Sequence, residues 1–549
     1  MKNGRLAAGL FLTVWAGLCA DPKKPQGEPR VSSISPMGGQ QGAEFEAEVR
    51  GVSLAGVRSV QFTTPGMTAR VLDVKAEPPD TEVVRLAVTI PSGAALGNHA
   101  FRLITGRGIT NEGNLRVTAE PTVAEGAAVG ALPVIVQGVL RQKGEMDSIW
   151  LEAKAGETFT FQATSGFAGF DPAVSLWATA NSWFDSSRLE RIAVNDDPLY
   201  FPGLSTDARL VHRFEKEGRY CVKIGAFSGG GGPDFVYQLL LTKGVTPVPD
   251  LHPKATPQWT ERMFTRGLNQ QWVDHVAVRG NAKAPGSLEV YKAAVEDSKE
   301  LPIMSPNGIV EGRLGAAAET HAIRLKIDKP QDITIETQTP EATMPRFNLI
   351  VRVMQPDGHE VVTNVHTKRN NNGLYMMKMI QAKTTVTLRS AGEYRLEIRD
   401  ITTDCWAPDF AYRVLVRSQI PHIGKVNIVE ERVNIEPGQS KPLTVHIERE
   451  EGFKGYVAIS VEGLPAGVVT MTGMENPIEK PPLPNAGRIE RYVGIPQTSS
   501  IMLVALPEAV PSDLPVNARI LVRPVVDGRL GEVIASKEIP VMIIARRPS

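Results

Sequence analysis

The chain has 549 residues, with 60 Lys and Arg against 60 Asp and Glu and a formal net charge of zero. That balance gives no reason to expect nucleic acid or an anionic membrane surface as a partner. The 50 Gly and 41 Pro fall in short clusters between apolar alternations, which excludes a helical architecture and predicts an all-β chain.

Lys2 and Arg5 precede an apolar run from Leu6 to Ala20 that ends at Asp21-Pro-Lys-Lys-Pro25. A basic head and a short apolar core match a secretory signal peptide over residues 1–20, so the expected location is secreted, periplasmic or cell-surface. Gly17 with Cys19, or Leu18 with Ala20, allows cleavage near residue 19 or 20; Leu18 before Cys19 fits a lipidation site poorly. No later run approaches the ~20 apolar residues that a membrane-spanning helix needs. What remains corresponds to about four domains of ~100–150 residues.

The first module covers residues 29–118. Phe45-Glu-Ala47-Glu-Val49 alternates as a half-buried strand should, and Gly38-Gly39, Gly51, Gly56 and Pro65-Gly66 mark turns. With Ile34-Ser-Pro36-Met-Gly-Gly39 and the turn-then-strand Ile90 to Leu103, this stretch resembles the immunoglobulin-like IPT/TIG domain.

Residues 130–243 and 302–418 repeat each other. Val136-Gln-Gly138-Val-Leu140 returns as Val310-Glu-Gly312-Arg-Leu314, and Ile149-Trp-Leu151 as Ile323-Arg-Leu325. Gly218-Arg-Tyr220 returns as Gly392-Glu-Tyr394, and Pro233-Asp-Phe235-Val-Tyr237 as Pro408-Asp-Phe410-Ala-Tyr412. The offset is 174 for the earlier blocks and 175 for the last, too constant for chance. The first copy carries Gly138-Val-Leu140, Asp147-Ser-Ile-Trp-Leu151, Ala155-Gly156-Glu-Thr-Phe159, Asp171-Pro-Ala-Val-Ser-Leu176, Asn195-Asp196-Asp197 and Gly218-Arg-Tyr220. In that order they resemble the bacterial pre-peptidase C-terminal domain, a jelly-roll-like β-sandwich borne by secreted proteins. The second copy keeps the frame and lacks the acidic points. Arg346 stands where the offset places Asp171, and Lys368-Arg-Asn-Asn-Asn-Gly373 replaces the Asn-Asp-Asp run.

Between the copies, residues 244–300 open with Pro247, Pro249, Pro253 and Pro257, a stiff linker. Trp272 to Val278 reads as a strand and Leu288 to Val295 as a short helix, in what resembles a worn counterpart of the first module. The last module, residues 420–546, alternates cleanly at Leu443-Thr-Val445-His-Ile447 and Val457-Ala-Ile459-Ser-Val461. Gly452-Phe453-Lys-Gly455 and Gly463-Leu-Pro465-Ala-Gly467 resemble an immunoglobulin-like or fibronectin type III-like domain. The Pro-rich loop Asn476 to Gly487 is expected on the surface. The fold class is therefore tandem β-sandwiches, immunoglobulin-like and jelly-roll-like.

No spacing reads HExxH, GxSxG, GxGxxG or a P-loop, and the nine His are scattered singly, so no enzyme activity is expected. The chemical candidate is an acidic loop end, Asp171, Asn195, Asp196 and Asp197, with Asp207 near. Such oxygens suit calcium, and equally suit a turn in which Asn and Asp bond their own backbone. Trp183, Tyr200 and Trp406 lie in or beside long loops, where flat aromatics stack on sugars, anchor a protein, or cover a sandwich end. The Gly229 to Gly232 run reads as a free loop tip. Cys221 alternates with Tyr220, Val222 and Ile224 and so points outward; it and Cys405 either pair across the copies or stay free.

These readings predict a non-catalytic exported protein that binds, adheres or spaces at the bacterial cell envelope, with a protein or a polysaccharide as partner. The alternative is an accessory or inhibitor-like subunit of a separately encoded exported hydrolase.

Overall fold

The computed structural model describes residues 27–546 apart from 78, 167–168, 180–188, 197–207, 246–267, 317, 340–348, 370–375, 401–409, 472 and 476–493. The basic head and apolar run of residues 1–20, the prolines of 247–257 and residues 476–487 lie outside the described residues.

The chain is all-β, arranged as tandem sandwiches around four separate apolar cores. In the first module the alternation of Glu44–Val52 puts Ala47 and Val49 into the core and Glu46 and Glu48 into solvent. Its strands pair as Arg30–Ser35, Glu44–Val52, Thr81–Thr89, Thr68–Glu77 in one sheet. The facing sheet runs Gly38–Gln40, Gly113–Thr118, Gly97–Thr105, Ser59–Phe62. The opening strand thus changes sheets and its second half runs parallel to the last strand. That A-B-E-D against G-F-C order is the immunoglobulin arrangement. The last module repeats it: Val433–Ile435 runs parallel to Ile539–Ile543, and Leu443, Val445 and Ile447 are fully buried.

Both repeat copies are jelly rolls. In the first, Val134–Val139, Val236–Lys243, Thr158–Ser165 and Ala208–Arg213 form one sheet, and Met146–Ala153, Gly218–Ala226, Pro172–Thr179 and Leu189–Asn195 the other. Numbered along the copy, the orders are 1-8-3-6 and 2-7-4-5, the jelly-roll winding. The second copy has the same orders, with Gly308–Leu314 and Thr320–Ile327 as its first two strands.

The repeated Gly and Tyr have a shared geometric cause. Gly138 pairs across the sheet with Tyr237, and Gly312 with Tyr412. A Cβ at Gly138 would lie 2.5 Å from the Tyr237 hydroxyl, and one at Gly312 2.2 Å from that of Tyr412. Each ring therefore lies over its glycine, where only a missing side chain leaves room. The hydroxyl is then held from the next strand: Tyr237 donates to Asp147 at 2.6 Å, and Tyr412 bonds the His321 ring at 2.6 Å.

Three expectations need correction. Trp272 to Val278 belongs to a helix, Gln270–Arg279, whose N-cap Asn269 accepts from the Trp272 amide at 2.9 Å. Val273, Val276 and Ala277 at helical spacing form its buried face. Leu288 to Val295 instead supplies the strands Glu289–Lys292 and Ala294–Val295, which extend the sheets of the second repeat. Glu289–Lys292 runs parallel to Gly308–Leu314, as Thr122–Ala124 runs parallel to Val134–Val139, so each copy takes in a strand ahead of 302 and 130. Third, the glycines at 229–232 are tied down rather than free. Gly232 N donates to Leu140 O at 2.8 Å, and a Cβ at Gly231 would lie 2.0 Å from Gln142 O.

The modules touch. Met37 packs with Val139 and Val236 between the first module and the first repeat, and Gln137 Nε2 donates to Gly38 O at 2.8 Å. The last module docks on the first: Asn434 receives the Ile109 amide at 2.9 Å and donates to its carbonyl at 3.0 Å, beside an apolar contact of Ile104 and Ile109 with Met542 and Ile544. The second repeat meets the last module through Arg417, which has no exposed side-chain surface and grips Glu451 with two bonds of 2.6 Å.

Candidate functional site

The outer face of the first repeat's second sheet is built by simple alternation. Ile149 and Leu151 turn inward, so Trp150 turns out and is 39% exposed. Val174 and Leu176 turn inward, so Trp177 comes out on the neighbouring side. Both residues pair with Cys221, one from each flank, which sets the row Trp150, Cys221, Trp177 across three strands. Arg191 pairs with Trp177 on the fourth strand and continues the row. With strands ~4.8 Å apart, the two Trp α-carbons stand about 9.5 Å from each other.

The indoles are held in place. The Arg219 guanidinium stacks 4.5 Å from the Trp150 ring centre, and the Lys223 ammonium 4.8 Å from that of Trp177. Trp177 Nε1 donates to Ser175 Oγ at 2.8 Å. Around them Met146, Ile192, Val194 and Phe227 are also exposed. Cys221 does face away from the core, as its alternation requires, yet it is fully buried and not outward in the sense of accessible. It lies on the middle strand of the row, between Trp150 and Trp177 and between Arg219 and Lys223 along its own strand. Burial pushes its thiol pKa up, against the opposing effects of Ser148, Lys223 and Arg219. Cys221 is a free, buried thiol, and Cys405 lies outside the described residues.

The second repeat carries the same row with other residues. Arg324 and Met354 flank Arg395 where Trp150 and Trp177 flank Cys221. There the cations are paired: Arg324 with Glu393 at 3.2 Å, and Arg395 with Glu397 at 3.3 Å and with Glu296. One scaffold thus presents an aromatic row in the first copy and a neutralised charged row in the second.

Of the acidic loop end, Asp171 precedes the Pro172–Thr179 strand, and Asn195 and Asp196 close the antiparallel partner. Val174 faces Asn195, so these residues share one end of the same sheet. Asn195 Nδ2 donates to Arg209 O at 2.8 Å, and the Asp171 carbonyl accepts from Phe227 N at 2.8 Å. Asp197, Asp207, Trp183, Tyr200 and Trp406 lie outside the described residues. Pro172 faces Ala226 and Leu349 faces Asp400, so these two begin equivalent strands; Arg346 lies outside the described residues.

Two other groupings of titratable groups stand out. Asp147 is pushed up to about 6, first by burial and then by the neighbouring Glu125 carboxyl, against the lowering effect of the Tyr237 hydroxyl. It sits beside a groove of about 390 Å³ between the first module and the first repeat, lined by Glu125, Gly138, Tyr237, Met37 and Phe45. Elsewhere His422, Glu450 and Glu451 bring donor atoms within 4.8 Å of one another, a spacing suited to a metal ion. Chain cations already occupy those donors: Lys383 lies 2.6 Å from Glu451 and also binds Glu450, while Arg417 takes both oxygens of Glu451. This grouping works as the lock between the second repeat and the last module.

The signal for the Trp row was present in the alternation of Ile149-Trp-Leu151 and Leu176-Trp177. That the two strands flank a common neighbour is a property of the jelly-roll order, which no local pattern carries.

No protein-family model matches the chain, and no curated protein does. Among solved structures, the chain is similar to the secreted serine protease VesC from Vibrio cholerae at 10% identity and TM-score 0.15, over 40% of this chain and 51% of that one. It is also similar to the D0-D1 domain of intimin at 11% identity and TM-score 0.14, over 42% of this chain and 96% of that one. A third likeness is to surface layer protein SbsC, domains 1–6, at 10% identity and TM-score 0.15, over 95% of this chain and 55% of that one. Similarity this low carries no argument. No described helix is long and apolar enough to cross a membrane.

Proposed function

We propose that this chain is an exported, non-catalytic binding protein of the bacterial cell envelope, in which the first repeat presents the binding surface and the other sandwiches hold it. The basic head and apolar run of residues 1–20 support export. The observation that carries the binding reading is the row Trp150, Cys221, Trp177, where two indoles lie fixed on an open sheet face beside Arg191, Arg219 and Lys223. Large aromatics fixed in position contribute contact area with little loss of side-chain freedom, which suits them to recognition. Partners on this reading are a polysaccharide or a protein of the envelope.

The test is retention of the chain lacking residues 1–20 on insoluble envelope material from its own organism. Wild type is retained, and the Trp150→Ala, Trp177→Ala double variant is released. Equal retention of the two proteins removes the face from the proposal. Retention of neither removes the binding function. Isolation of one tight partner in fixed ratio favours an accessory subunit instead.

A further inference from the structure

We infer that the outer face of the first repeat takes an acidic linear polysaccharide, its sugar rings stacking on Trp150 and Trp177 and its carboxylates meeting Arg191, Arg219 and Lys223. This rests on the proposed reading of the face as a binding surface and names its ligand class.

Placement is the first argument. Both Trp strands flank the Cys221 strand, and the indoles lean opposite ways along it, Trp150 to Arg219 and Trp177 to Lys223. Two aromatic anchors set apart on one sheet face suit an extended ligand that crosses both, as a linear glycan does. Protein anchors insert into pockets on the other side, whereas these rings sit on an open, shallow sheet.

Charge is the second argument. Among the described residues, the face carries Arg191, Arg219 and Lys223 against Glu152, with Asp196 half-exposed at the end of the fourth strand. Arg219 and Lys223 are held against indoles, and neither forms an ion pair with a carboxylate among the described residues. In the second repeat the equivalent row is closed by Glu296, Glu393 and Glu397, which supply from within the chain the negative charge that the first repeat leaves to a ligand. A regularly spaced carboxylate on each sugar or alternate sugar is the complement that fits both features.

The experiment is native affinity electrophoresis of the chain lacking residues 1–20 in gels containing polygalacturonate or alginate, beside gels containing a neutral β-glucan. Retardation is expected in an acidic gel and not in the neutral one. Trp150→Ala and Trp177→Ala should each weaken binding about ten-fold, the scale of one lost aromatic contact. The Arg219→Gln, Lys223→Gln double variant should weaken it and reduce its dependence on salt. Arg324→Ala in the second repeat should leave it unchanged. Should a Trp variant unfold, the Arg219→Gln, Lys223→Gln protein decides alone, since both side chains lie at the surface. Absence of retardation in both acidic gels, equal retardation by the neutral glycan, or equal retardation of wild type and face variants overturns the inference. If glycans fail to retard the chain while its envelope retention still depends on Trp150 and Trp177, the binding surface stands and the polysaccharide falls.

Discussion

At the scale of single residues, the informative positions of the repeat are the ones whose role is steric. Gly138 and Gly312 persist in both copies because Tyr237 and Tyr412 lie across them, with hydroxyls 2.5 and 2.2 Å from where a Cβ would be. Gly312→Ala must displace a buried ring and should lower stability by about 1–3 kcal/mol, read as a shift in the denaturation midpoint. What holds each hydroxyl differs between copies, Asp147 in one and His321 in the other. In the first copy this makes stability depend on pH. Asp147 has an ordinary value of 3.8 and is raised to about 6 in the fold. Its protonated form therefore favours folding, a contribution complete below about pH 3.8 and lost as pH rises through about 6. Asp147→Asn keeps an acceptor for Tyr237 and should gain stability relative to wild type as pH rises from about 4 to about 7, measured as melting temperature. A pH-independent difference between the two proteins would count against this.

At the scale of elements, the segment between the repeats shows which patterns speak locally. The helix Gln270–Arg279 is defined by an N-cap, Asn269, and by Val273, Val276 and Ala277 packed against Leu268, Ile309, Leu415 and Ile420. The run Val276-Ala-Val278 has strand propensity, and three positions in a row cannot separate a period of 2 from one of 3.6. Asn269→Ala should cost about 1 kcal/mol, because the amide at Trp272 loses its acceptor. The readout is local: faster hydrogen exchange in the first turn of this helix with the sandwich cores unchanged. Leu288 to Val295 fails as a helix for the opposite reason. Its backbone bonds come from edges of sheets formed elsewhere, and Tyr291 lies over Gly308. Cys221 shows the same limit within a strand. Alternation assigns its face correctly, but its burial depends on what the neighbouring strands set beside it.

At the scale of the whole molecule, the modules form a chain of contacts that brings the last sandwich onto the first. The joint between the second repeat and the last module is ionic and buried. Burial pushes the Glu450 and Glu451 carboxyls up, yet His422 and Lys383 at Glu450, and Arg417, Lys383 and His422 at Glu451, outweigh it and hold both at about 2. These depressed values mean the carboxylates add stability above about pH 4.5, and that contribution is lost as pH falls through about 2. Arg417→Met leaves Glu451 buried and unneutralised by its bidentate partner, which should cost about 3–5 kcal/mol. The expected readout is a separate low-temperature transition as the last module parts from the second repeat. A single unshifted melting transition would show that the lock contributes nothing.

Composition and period were enough, without any contact, to establish an all-β chain, the duplication at an offset of 174, and the core faces of strands such as Leu443-Thr-Val445-His-Ile447, while the tandem sandwiches were implied by resemblance. Those features are local: a turn needs Gly or Pro where it occurs, and a half-buried strand needs alternation along itself. The Trp150 and Trp177 row, the burial of Cys221, the role of Gly138 and Gly312, and the docking of Asn434 on Ile109 came only with the tertiary structure. Each joins residues far apart in the chain through strand order or module packing. A sequence pattern records which way a side chain points, and it takes the fold to decide what stands beside it.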